Sequence, residues 1–163
     1  MSANEIIPNL FLGDIVTSRS KEFMDSMNVK MVVNCTKNIP FLENSHFKKI
    51  RVPVDDNLDE DEIKNLAIWG PRVIHEIWKE YKQGHTILVH CHAGMQRSAA
   101  IVAMFLIFYR RMTRQEAMEL IRRRRSVAFQ PRANFQDSIV HFENELNEAL
   151  RKSLDGHSIQ SYR

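Results

Sequence analysis

The sequence predicts an α/β protein of one domain, with a central, mostly parallel, twisted sheet and helices on both faces. Three observations carry that expectation. Short β-branched runs alternate along the chain with longer segments of helical periodicity. No repeat, low-complexity tract or linker divides the 163 residues, and a chain of this size buries roughly 70% of its unfolded surface without help from a disulfide or metal. One helical segment, Ser98 to Tyr109, is apolar almost throughout, as a helix surrounded by core must be.

The elements follow in order. Ile7-Pro8-Asn9-Leu10-Phe11-Leu12-Gly13 reads as a short strand closed by a turn glycine. Ser18 to Met27 is helix-like, with Phe23 and Met24 apolar, and Val29 to Cys35 reads as a buried strand. Lys48 to Val54 reads as another strand. From Asp59 to Lys82, Ile63, Leu66, Gly70, Val73, Ile74, Ile77 and Tyr81 recur at helical spacing; Pro71 inside this run is expected to kink it or begin a second helix. Gly84 ends it, and Thr86-Ile87-Leu88-Val89 is a short strand. Thr113 and Glu116 form a capping box for a helix through Arg124. A last helix over about Asn134 to Lys152 puts Phe135, Ile139, Phe142, Leu146 and Leu150 on one face. The domain is therefore expected over 1–152, with 153–163 as a polar tail.

Composition excludes several classes. With 44% hydrophobic and 26% charged residues the chain reads as an ordinary soluble globular protein. A net charge of +3 and a pI near 9.0 suit an anionic partner, but a well-solvated surface gives the same balance. The start, Met1-Ser2-Ala3-Asn4-Glu5, lacks the features of a signal peptide, and Ser98 to Tyr109 is too short to span a bilayer, so no membrane anchor is expected. Two cysteines, Cys35 and Cys91, make neither a disulfide scaffold nor a Cys-rich zinc site. They favour a reducing compartment, cytoplasmic with the nucleus open.

The chemistry concentrates in His90-Cys91-His92-Ala93-Gly94-Met95-Gln96-Arg97-Ser98. A strand ends at His90 and an apolar helix begins after the loop, which places the loop beyond the carboxyl end of the sheet, where ligands bind in such folds. Backbone N–H groups of a strand–loop–helix can converge on an anion, and the helix N-terminus adds its positive end. This is a phosphate-binding loop in outline. Gly94 permits backbone geometry that side chains resist. Cys91 sits where these dipoles are strongest, so its thiol should ionise below the free value and act as a nucleophile. Arg97 offers a planar fork for two phosphate oxygens. Ser98 is placed to bond the sulfur. Alone, a cysteine after a strand is a small buried hydrophobe and an arginine at a helix start is a surface charge; the whole combination is far rarer. His92, Ala93, Met95 and Gln96 should line the cradle mainly through their backbone, with the Met95 side chain toward substrate. His90 should order the loop.

Hydrolysis of a phosphate ester also needs a proton donor. The candidates are Asp55, Asp56, Asp59 and Asp61. Asp59 and Asp61 read equally as helix N-cap and first-turn carboxylates. Asp55 and Asp56 lie at a strand end.

His-Cys-x5-Arg-Ser resembles the signature loop of the cysteine-dependent phosphatases, and the rest of the chain resembles their dual-specificity branch. The opening Ile7 to Gly13, Val32-Val33-Asn34-Cys35-Thr36 and Arg51-Val52-Pro53-Val54-Asp55-Asp56 match its pattern. Pro131-Arg132-Ala133-Asn134-Phe135 departs from the branch's Pro-Asn-x-x-Phe by an intervening Arg-Ala. The resemblance covers about 5–145. It implies a metal-free, cofactor-free protein phosphatase acting on phosphotyrosine and phosphoserine/phosphothreonine of phosphorylated proteins through a cysteinyl-phosphate, with Asp56 as the acid. Asn34 reads either as a bond to the back of the loop or, equally, as a buried, satisfied strand residue, and Asn134 from the last helix is a further candidate for that bond. Cys35 reads either as a packing residue or as a resolving thiol for Cys91.

Rivals remain at this stage. A phosphoinositide phosphatase would want lysines in the loop, and none is there. An RNA 5′-triphosphatase is kept open by the run Arg122 to Arg125, which reads otherwise as a solvated basic helix end; no nucleic-acid partner is expected. A non-catalytic phosphoprotein-binding module would normally lack the Cys or the Arg.

Overall fold

A computed structural model describes residues 2–161. Five strands form one sheet in the order β1-β2-β5-β3-β4. These are β1 (Ala3–Ile7), β2 (Leu10–Gly13), β3 (Val29–Asn34), β4 (Lys48–Arg51) and β5 (Thr86–His90). Only the edge pair β1–β2 is antiparallel; β2–β5, β5–β3 and β3–β4 are parallel. The expected α/β architecture is therefore present, with one correction. The Ile7 to Gly13 segment is not one strand but the inner half of a hairpin. Asn9, at φ 70, makes the turn, and the Glu5 carboxylate accepts its N–H.

The helices are α1 (Ile15–Ser18), α2 (Lys21–Ser26), α3 (Glu60–Tyr81), α4 (Arg97–Tyr109), α5 (Arg114–Arg124) and α6 (Gln136–Ser161). The single helix expected over Ser18 to Met27 is two short ones. Asp14 caps α1 and Ser20 caps α2, each accepting a hydrogen bond from a backbone N–H three residues on, so the chain restarts at Ser20. Pro71 lies within α3 and does not divide it. Gly70 beside it meets α4 so closely that a Cβ would sit 2.9 Å from Met104 Sδ. The capping box of Thr113 and Glu116 is formed. Strand β4 stops at Arg51, short of Val54, and α6 continues past Lys152 to Ser161.

Helices cover the two faces of the sheet unequally. Leu10, Leu12, Met31, Val33, Ile87 and Val89 pack under α3, α4, α5 and α6. Val32 and Leu88 face the other way, against Met24 of α2 and Phe47, with Phe23, Phe41 and Leu42 at the margin. Helix α4 is buried from Ser98 to Ile107, which is why its sequence shows no polar face. Its N-terminus is thus held immobile against the loop. Among the described residues no helix is long and apolar enough to cross a membrane.

Candidate active site

The parallel strands all end at one edge of the sheet, with Gly13, Asn34, Arg51 and His90 as their last residues. The loop after β5 and the acidic segment after β4 therefore lie along the same rim. Asp56, Cys91, His92, Ala93, Met95, Gln96, Arg97, Gln130 and Asn134 line one cleft of about 300 Å³. A hollow of about 490 Å³ lies elsewhere, between α2 and the 42–47 segment, with no cysteine or arginine in its lining.

The loop is turned inside out relative to ordinary turns. All six carbonyls from Cys91 to Gln96 are tied away from the cleft. His90 Nδ1 donates to Cys91 O (3.0 Å), Ile15 N to His92 O (2.9 Å) and Phe129 N to Met95 O (2.8 Å). Arg125 Nη2 donates to Ala93 O (2.9 Å) and its Nε to Gly94 O (2.8 Å). Ala100 N donates to Gln96 O (2.9 Å). With the carbonyls fixed outward, planarity of each peptide leaves the N–H groups facing the cleft. Among the described residues, the N–H groups from His92 to Gln96 donate to no protein oxygen. That is a preorganised anion nest. Gly94 makes the reversal at φ +68, and a Cβ there would sit 2.5 Å from Gly13 O.

Cys91 is buried, with Sγ 3.0 Å from Ser98 Oγ. Burial alone pushes the thiol up. The Ser98 hydroxyl and N–H, the Arg97 charge and the Gly94 N–H outweigh it and hold the thiol below its ordinary value. Arg97 Nη1 donates to Val54 O at 3.0 Å, while its Nε is buried with no protein partner, a donor oriented for an oxyanion. Burial pushes His90 down to about 4, so it is neutral at pH 7 and its Nδ1–H donates to Cys91 O.

Several expectations need correction. Asn34 makes no hydrogen bond to the loop and takes its other reading, a buried and satisfied strand residue. Its side chain bonds Thr36 and Ile39, organising the turn after β3. Asn134 precedes α6 rather than lying in it, and its Nδ2 donates to Asp56 Oδ1 at 3.0 Å. Gln96 is not a backbone lining alone: its buried amide donates to Gln130 O and Arg132 O. Gly94 is buried and meets the site through its N–H, which faces Cys91. The run at the end of α5 is not uniformly solvated. Arg122, Arg123 and Arg124 are exposed, but Arg125 is 3% exposed and reaches the loop and Asn4 Oδ1.

Arg125 is the residue that sequence reasoning missed. The signal was present: Ala117, Ile121 and Arg125 fall at i, i+4, i+8, so the buried stripe of α5 runs on to this arginine at its C-cap. Asp59 and Asp61 take the alternative places weighed for them, as N-cap and first-turn carboxylate. Asp55 is paired with Lys37 at 3.0 Å, and its N–H bonds Glu62. Asp56 alone of the four lines the cleft.

Comparison with known proteins agrees with this geometry. The family model "Dual specificity phosphatase, catalytic domain" matches residues 10–145, and the chain belongs to that family. Human dual specificity protein phosphatase 1 is 30% identical over 87% of this chain and 37% of its own length. The chain thus spans little more than a third of that relative. A crystal structure of a human DUSP28 variant superposes with a TM-score of 0.83 at 25% identity, covering 91% of this chain and 99% of that one. The fold alone is shared with PTPMT1, solved in complex with PI(5)P (TM-score 0.74, 22% identity, 91% of this chain and 98% of that one).

Proposed function

We propose that this chain is a protein phosphatase hydrolysing phosphotyrosine and phosphoserine/phosphothreonine through a cysteinyl-phosphate. One observation carries the reading: every carbonyl of the Cys91–Gln96 loop is pinned outward around a thiol held below its ordinary value. Cys91 attacks phosphorus in line. The loop N–H groups and the free Arg97 Nε hold the equatorial oxygens, so the protein itself neutralises the charge. Asp56 protonates the departing oxygen, then takes a proton from the water that cleaves the S–P bond and releases phosphate. Ser98 donates to the sulfur as it leaves. Residues 1–152 form the catalytic unit, acting on phosphorylated proteins in a reducing compartment, the cytoplasm or nucleus; both cysteines being free supports that placement.

His92 and Ala93 are exposed on the lip of the cleft, and no lysine stands between Cys91 and Arg97. Both features suit a single phosphate on a protein side chain better than a multiply phosphorylated inositol. Phosphate release from phosphopeptides, phosphoinositides and triphosphate-ended RNA, measured in parallel, tests this. Phosphopeptides should turn over fastest. Cys91→Ser should abolish release while retaining phosphopeptide binding, and Arg97→Lys should be nearly inactive. Full activity in Cys91→Ser, or preference for inositides or RNA, would overturn the proposal.

A further inference from the structure

The loop and the acid stand on different segments, yet consecutive loop residues reach both ends of the acid's segment. Arg97 Nη1 donates to Val54 O, two residues before Asp56. Gln96 reaches the acid through a relay. Its Nε2 donates to Arg132 O (2.7 Å) and Gln130 O (3.0 Å), and its Oε1 accepts the Asn134 N–H (2.9 Å). Asn134 Nδ2 then donates to Asp56 Oδ1 (3.0 Å). Every polar atom of the buried Gln96 amide is spent on the 130–134 segment, and the segment's one side-chain contact with the acid is Asn134.

We propose that Gln96 and Asn134 are positioning residues that form a strut from the phosphate loop to the acid. This rests on Asp56 being that acid. The acid's own segment is exposed from Asp56 to Asp59 and has no core packing to aim it. An amide donor on Oδ1 fixes the carboxyl plane and leaves Oδ2 as the oxygen that carries the proton to the leaving group. Gln96 ties that aim to the loop that holds the phosphate, so acid and phosphorus keep one distance when the exposed segment moves. Asn134 thereby acts on the reaction through the acid.

The test uses the full chain and two substrates, phenyl phosphate, whose leaving group needs a proton, and dinitrophenyl phosphate, whose leaving group does not. Asn134→Ala keeps the backbone bond to Gln96 and removes only the contact with the acid. It should lower kcat/KM about tenfold on phenyl phosphate, the scale of one hydrogen bond to a charged group, and leave dinitrophenyl phosphate within about twofold. Asn134→Asp, the same shape without a donor, should lose more than Asn134→Ala on phenyl phosphate only. Gln96→Glu keeps the acceptor for Asn134 N but loses both donors, and should show the same dependence on leaving group. In an Asp56→Asn background, Asn134→Ala should add nothing. Equal losses on both substrates, a further loss in the Asp56→Asn background, or no loss at all would overturn the strut. If Asp56→Asn is itself indifferent to leaving group, the acid assignment fails and the strut with it. If Asp56→Asn is sensitive and Asn134→Ala is not, the strut alone fails.

Discussion

The two segments that flank the cleft are built by opposite means. The 91–97 loop is enclosed: Cys91, Gly94 and Gln96 are buried, a helix buried from Ser98 to Ile107 follows, and Ile15 of α1, Arg125 after α5 and Phe129 hold its backbone. The 55–59 segment is open. Asp56, Asn57, Leu58 and Asp59 are exposed, Leu58 sits at φ 63, and between the Asp55 bonds to Lys37 and Glu62 and the Asp59 cap the segment is held by the Asn57 side chain on Asp59 N and the Asn134 bond to Asp56. The difference suits the role proposed for each. Anion stabilisation needs dipoles that do not reorganise, whereas a proton donor needs only the right distance and access to solvent, from which it is recharged. Rigidity is concentrated where charge develops.

The comparison can be broken from either side. The largest effect belongs to the open side. Asp56→Asn should lower the rate on phenyl phosphate by about 10²–10⁴-fold, the usual scale for a general acid, with little loss of stability. If Asp59→Asn gives that pattern instead, the acid is misassigned. On the enclosed side, Arg125→Met leaves Ala93 O and Gly94 O without donors. At about 1–3 kcal/mol for each buried unsatisfied group, Tm should fall by roughly 5–10 °C, with activity lost alongside. A melt unchanged from the parent would show that the loop does not depend on this arginine.

Smaller effects sharpen the contrast. Ser98→Ala removes a donor that favours the thiolate, so the Cys91 thiol should ionise at higher pH. The acid limb of kcat/KM, which rises as the thiol ionises, should move to higher pH, and kcat should fall roughly tenfold. A limb that stays in place would remove Ser98 from the machinery. The smallest basal effect is at Cys35. Asn34 pairs with His90 across β3 and β5, and Cys35 N donates to His90 O, so the two thiols leave adjacent strands side by side. Burial, then the Cys91 charge, hold the Cys35 thiol well up, so Cys91 gives up its proton before Cys35 does. Hydrogen peroxide would oxidise Cys91 to a sulfenic acid, which Cys35 could condense with as a disulfide, releasing water. Wild type should then recover fully with thiol reductant and Cys35→Ser only in part. Equal recovery, with no Cys35–Cys91 peptide by mass spectrometry, leaves Cys35 as packing.

Much of this protein is determined within short stretches of sequence. The strand, the six-residue step from Cys91 to Arg97 and the apolar helix after it are local, and so are the Asp59 N-cap and the Thr113–Glu116 box. Their geometry depends on bonds spanning a few residues, which spacing alone reveals. The tertiary structure decided what holds the loop and what bonds Asp56. Ile15, Arg125, Phe129 and Asn134 meet the site only through the order of strands in the sheet and the packing of α5 against it. Asn34 showed the converse, since its local turn took the hydrogen bonds expected for the loop. A polar side chain bonds whatever unsatisfied group the fold brings near, and over long chain separations no pattern of residues encodes which group that will be.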